Sequence, residues 1–118
     1  YTIVEASKLA AASTAGRQKT FSEKKQWVTG RILLDRANKA RELMPVVFAD
    51  AADCSKLLYW GVLSRIQLGE NGTKYAVKNL RKLEGRRRPQ ELFLRSTNKR
   101  IKPNYIRPYA IIKTPRFL

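Results

Sequence analysis

Residues 57 to 78 constrain the fold more than any other stretch of the chain. Leu57-Leu58-Tyr59-Trp60-Gly61-Val62-Leu63 is apolar, and Ser64-Arg65-Ile66-Gln67-Leu68 then alternates polar and apolar side chains, the period of a strand with one face on a core. Gly69-Glu70-Asn71-Gly72 follows, with an Asn-Gly pair that favours positive φ at a tight turn, and Thr73-Lys74-Tyr75-Ala76-Val77-Lys78 alternates again. The pattern predicts a β-hairpin with a long first strand. Gly61 within that strand predicts a bulge or a close approach of neighbouring backbone.

Upstream, Leu33, Leu34, Ala37, Ala40 and Met44 recur at helical spacing, while Arg31, Asp35, Arg36, Lys39 and Glu42 take the remaining surface. This predicts an amphipathic helix over 31 to 43, stopped by Pro45. Gly30 costs about 1 kcal/mol against alanine inside a helix, so Trp27 and Val28 before it read as a separate turn or short strand. Thr20-Phe21-Ser22-Glu23 fits a capping box, in which the threonine hydroxyl and the glutamate carboxylate each satisfy one orphan backbone donor, and predicts a helix start near Glu23. Before it, Tyr1 to Val4 alternates, and the small-residue run Leu9 to Gly16 reads as a frayed helix.

Pro45 to Ala49 is rich in β-branched and aromatic residues and reads as a buried strand, with Asp50 to Lys56 as the connection to the hairpin. Beyond the hairpin, Arg86-Arg87-Arg88-Pro89 breaks the pattern before Glu91 to Arg95, a strand or short helix. Prolines at 103, 108 and 115 leave Tyr109 to Lys113 as the last strand. Helices in the first half and strands in the second predict an α+β chain: a small, strongly curved mixed sheet or β-barrel with helices of the N-terminal half packed on it. At 118 residues this is one domain, with a helical part over about 1 to 44 and a β-rich basic part over about 45 to 118.

The basic part carries most of the charge. Up to Leu58 there are ten basic and six acidic residues; from Tyr59 onward there are fifteen and three, and the whole chain has a net charge of +16. Such a charge weakens the compact state by self-repulsion unless a polyanion answers it. Arginine forks suit phosphate oxygens, and each phosphate neutralised adds affinity through counterion release. Arg81, Lys82, Arg86, Arg87, Arg88, Arg95, Lys99, Arg100 and Arg107 are the candidate phosphate contacts, with Lys78 and Lys102 beside them. Asn98, Asn104, Tyr105 and Tyr109 interleave amide and aromatic groups with these cations, as stacking on unpaired bases requires, although a strand tyrosine also serves as a half-buried core residue. A solvated loop face is the plainer alternative, and an acidic protein would answer the same charge, so a basic adaptor stays open as a reading.

The absence of histidine removes the commonest general base and transition-metal ligand, and with Cys54 as the single cysteine it removes histidine-assisted nucleophiles and the usual zinc sites. No phosphate-binding glycine motif is present, and neither a catalytic residue, a cofactor nor a metal is expected. Glu23, Asp50 and Asp53, with Lys25, leave a metal-dependent nuclease as the enzymatic alternative. One cysteine fits a reducing compartment and no apolar run is long enough to span a bilayer, so the expectation is a cytoplasmic protein with nucleic acid, RNA or DNA, as partner and no membrane contact.

The helix over 31 to 43, the strand Pro45 to Ala49, the strand containing Tyr59-Trp60-Gly61-Val62 and the hairpin after it resemble, over about residues 27 to 80, the PUA-like superfamily, especially its EVE and ASCH branches. The resemblance implies a small β-barrel with flanking helices that reads RNA, or DNA carrying a modified base, in a pocket on the barrel. By position, Tyr59 or Trp60 would stack on the base, with Asp50, Ser64 or Asn104 on its edge and Tyr105 beside them. Tyr59 and Trp60, adjacent in a strand, point to opposite faces, so one belongs to the core and the other to a cleft or to solvent.

Overall fold

The structure, a computed structural model, describes residues 1–14, 18–102 and 109–118. The elements run β1 (Thr2–Val4), α1 (Ala6–Thr14), β2 (Lys19–Glu23), α2 (Val28–Lys39), β3 (Pro45–Asp50), β4 (Leu57–Gly69) and β5 (Gly72–Arg87). The strands form one mixed sheet in the order β1-β3-β4-β5-β2, parallel only between β1 and β3. The chain is α+β, as its pattern predicts, but its helical and β parts do not separate at residue 44: two of the five strands lie before it.

The continuous apolar run of β3 follows from burial on both faces. Val46 and Phe48 join Leu9 and Ala12 of α1, Leu34 of α2 and Tyr59, Leu63, Ile66, Tyr75 and Val77 in the larger core. Val47 and Ala49 point the other way and pack with Leu57, Leu92, Ile101 and Ala110. Helices therefore cover one face and the chain after β5 covers the other.

The sheet curls strongly but does not close. In a flat five-stranded sheet the outer strands would lie about 19 Å apart, four spacings of about 4.8 Å. Here Thr2 Oγ1 of β1 donates to Glu23 Oε1 of β2 across 3.3 Å. Bulges permit the curl: β4 and β5 slip register between Trp60 and Val62, where Asn79 takes φ 55°, and between Leu57 and Tyr59, where Gly85 takes φ 73°. The barrel foreseen as an alternative does not form, because the outer edge of β1 is already taken. Thr2 bridges to Tyr109, and Ala110 N donates to Tyr1 O at 2.9 Å.

Two further expectations are corrected. Thr20 to Glu23 is not a helix start but part of β2, with Thr20, Phe21 and Ser22 opposite Ala76, Tyr75 and Lys74. Strand pairing outweighs the local capping signal, and Glu23 spends its carboxylate on Thr2. Helix α2 starts at Val28 and runs through Gly30, which is buried against Ile66 and Tyr109. Its start is satisfied from a distance: Trp27 N donates to Thr73 Oγ1 at 2.9 Å, and that hydroxyl donates to Lys25 O at 2.8 Å. At the other end the helix stops at Lys39 rather than 43, because Arg41 turns left-handed at φ 56° and Glu42 N closes back on Ala37 O at 2.8 Å.

The hairpin stands where the sequence pattern puts it. Gly69 pairs with Gly72, so the turn residues are Glu70 and Asn71, and the positive φ, 130°, falls on Gly72. A side chain there would collide with Glu23 O, so this glycine lets β2 approach the turn. Gly61 meets the close approach expected of it, since a Cβ would overlap Val77 Cγ1 on β5.

Candidate nucleic-acid interface

Strand β5 outruns the predicted hairpin and carries Lys78, Arg81, Lys82, Arg86 and Arg87, so these cations stand on a bulged strand rather than on the turns expected for them. After Arg88, a single 3₁₀ turn over Pro89–Glu91 redirects the chain. Residues 92 to 101 then fold back as a short hairpin: Ile101 N donates to Leu92 O, Leu94 N to Lys99 O and Asn98 N to Leu94 O, with Asn98 at φ 58° in the tip. Residues 111 to 113 run beside it, with Arg95 N donating to Ile111 O and Lys113 N to Phe93 O. Of the predicted strand or short helix Glu91 to Arg95, Glu91 ends the 3₁₀ turn and Phe93 and Leu94 are extended, with isolated bridges to Arg100 and to Ile112 of the segment Tyr109 to Lys113.

Three guanidinium groups lie over aromatic rings on this half of the molecule. Arg81 sits 4.3 Å from the Trp60 ring centre, its cross-strand neighbour. Arg87 sits 4.6 Å from Phe117, and Arg100 5.3 Å from Phe93. Pairs of this kind near the surface contribute about 0.5–1 kcal/mol each, so they bias where the guanidinium groups sit without immobilising them. Arg87 also meets Glu91 at 3.1 Å, and Arg88 N donates to the other carboxylate oxygen at 2.8 Å. Together these bonds hold the Glu91 carboxyl below its ordinary range, with the backbone bond from Arg88 the largest cause. The carboxylate thereby ties the 3₁₀ turn to the end of β5.

Between these parts lies an open groove of about 640 Å³, lined by Glu91, Leu92, Phe93, Asn98, Arg100 and residues 113 to 117, which include Lys113, Arg116 and Phe117. Phe93 is 37% exposed, one of the few large apolar side chains at the surface. Arg81, Lys82, Arg86, Arg88, Arg95, Lys99 and Arg100 are exposed. Among the described residues the ion pairs are Arg31–Asp35, Lys56–Asp53 and Arg87–Glu91, so of the eight predicted phosphate contacts described only Arg87 is engaged by a carboxylate. Arg107 lies outside the described residues.

The described residues of the proposed base pocket, Asp50, Tyr59, Trp60 and Ser64, do not converge. Tyr59 is core, 4% exposed, while Trp60 points to the opposite face and carries Arg81 on its ring. Asp50 ends β3 and accepts from Ala52 N in the following turn. Ser64 Oγ lies 2.8 Å from Gln18 Oε1 and 3.3 Å from Ala76 O. Asn104 and Tyr105 lie outside the described residues. A smaller cavity, about 240 Å³, lies between α2 and residues 109 to 115; Trp27, Leu33, Met44 and Tyr109 line it, and Arg95 is the one predicted cation among the described residues that reaches it. The carboxylates of the nuclease alternative do not meet either: among the described residues no three acidic or cysteine side chains group to hold a metal ion.

Sequence reasoning found Arg87 and Arg100 but missed Phe93, Lys113, Arg116 and Phe117. Their signal was present in Leu92-Phe93-Leu94-Arg95 and Pro115-Arg116-Phe117, two aromatic-cation clusters separated by about twenty residues and joined only by the fold. No protein-family model matches the chain, and neither curated proteins nor solved structures give a match. No helix among the described residues is long and apolar enough to cross a membrane.

Proposed function

We propose that this chain is a nucleic-acid-binding module that grips phosphates with the exposed cations of β5 and of the short hairpin after it. The observation that carries this reading is the set of exposed, uncompensated cations, Arg81, Lys82, Arg86, Arg88, Lys99 and Arg100, on a chain of net charge +16. A paired, bulged strand and a hydrogen-bonded hairpin hold most of their backbones in place, so little chain entropy is lost when they meet a polyanion. Phosphate contacts of this kind set affinity and register, not sequence preference.

The test is a triple substitution, Lys82→Ala, Arg86→Ala and Arg88→Ala, chosen to spare Arg87 and its bond to Glu91. Fluorescence anisotropy at low salt should show affinity falling about tenfold or more, by a similar factor for unrelated oligonucleotide sequences. Unchanged affinity, or wild-type protein that binds an acidic polypeptide but no oligonucleotide, would overturn the reading.

A further inference from the structure

We infer that the groove between Glu91–Phe93 and residues 113 to 117 takes an unpaired nucleic-acid strand, with bases stacked on the rings and guanidinium planes of Phe93–Arg100 and Phe117–Arg87. This rests on the nucleic-acid reading above and adds the form of the ligand. Charge alone does not distinguish a duplex from a single strand, because both present phosphates. Accessible rings with guanidinium groups beside them do, because a duplex keeps its base faces stacked on one another and an unpaired strand offers them.

The groove joins both kinds of contact. Phe93 projects from the hairpin strand and is 37% exposed, with Arg100 across the hairpin at 5.3 Å from its ring. Phe117 closes the other end with Arg87 at 4.6 Å. Lys113 and Arg116 on the intervening wall supply charge for the strand's phosphates, with Lys113 Nζ held in place by donating to Asn98 Oδ1 at 2.5 Å. Its volume, about 640 Å³, lies within the range of sites that enclose flat organic groups. A guanidinium over a ring can take a base on its outer face; the Arg100 N–H edge, which no carboxylate engages among the described residues, can donate to a phosphate, whereas Arg87 is already held by Glu91.

The experiment titrates a single-stranded oligonucleotide of about 12 nucleotides, within the span of one such site, and the duplex of the same sequence, against wild type and two variants. Phe93→Ala removes the exposed ring while leaving the core intact, and Phe93→Tyr keeps a stacking face. The expected result is preference for the single strand, a loss of at least about fivefold for that strand in Phe93→Ala, a change within about twofold for the duplex, and near wild-type behaviour in Phe93→Tyr. Equal losses on both ligands, or tighter binding of the duplex with Phe93→Ala silent, would overturn the inference while leaving phosphate binding in place. Failure of wild type to bind either ligand would remove both readings together.

Discussion

Removing the Thr73 hydroxyl tests how this fold is held at the junction of α2 and the hairpin. Thr73 is 2% exposed, accepts from Trp27 N at 2.9 Å and donates to Lys25 O at 2.8 Å. Thr73→Val keeps the shape and removes both bonds. The Trp27 N–H is buried and loses its only acceptor, at a cost of about 1–3 kcal/mol, whereas Lys25 O is partly accessible and recovers part of its loss in water. A total of about 2–3 kcal/mol follows, which for a domain of this size lowers Tm by about 8–12 °C. Thr73→Ser keeps both bonds and gives up one buried methyl, about 1 kcal/mol or roughly 4 °C. Thermal and urea unfolding of the two variants read the difference. If the valine variant is no less stable than the serine variant, the hydroxyl does not hold the start of α2 and the reasoning fails.

Gly72→Ala should cost about 3 kcal/mol or more, since φ is 130° and the new Cβ meets Glu23 O; Gly85→Ala, at φ 73° in open space, should cost only about 1 kcal/mol, and urea midpoints will rank them. Gly61→Ala should resemble Gly72→Ala rather than Gly85→Ala, because its Cβ overlaps Val77. Burial pushes the Glu23 carboxyl above its ordinary value of 4.5, the bond from Thr2 offsetting only part of this. The folded state therefore favours the protonated acid, and this contribution to stability is full below the ordinary value and lost as pH rises through the folded one. Glu23→Gln should flatten that part of the stability profile and stabilise the protein at neutral pH; a variant less stable there than wild type would contradict the burial argument.

The parts of this fold legible in the sequence are those set by local pattern. The alternation of residues 64 to 68 and 73 to 78 around a Gly-Glu-Asn-Gly turn specifies β4 and β5 without help from elsewhere, and the β-branched run of β3 announces burial on both faces. What escaped was set by distant partners. Thr20 to Glu23 carries a helix-start pattern, yet pairing with β5 makes it a strand. The real start of α2 has its acceptor in Thr73, 46 residues away, so no local capping signal exists to be read. Arg41 ends the helix in a left-handed conformation that usually falls to glycine. At the candidate interface the cations were visible as composition, but which rings they would lie over was not. Phe93 and Phe117 share a groove only because residues 111 to 113 return to pair with 93 to 95.

The central claim, that the exposed cations of the second half bind nucleic-acid phosphates, meets its most direct test in the salt dependence of oligonucleotide affinity. A strand that contacts about four phosphates should give a straight line of log K against log salt with a slope near −3, becoming shallower by about 2 when Lys82, Arg86 and Arg88 are changed to alanine. Absence of binding at low salt, or a slope that the three substitutions leave untouched, would contradict it.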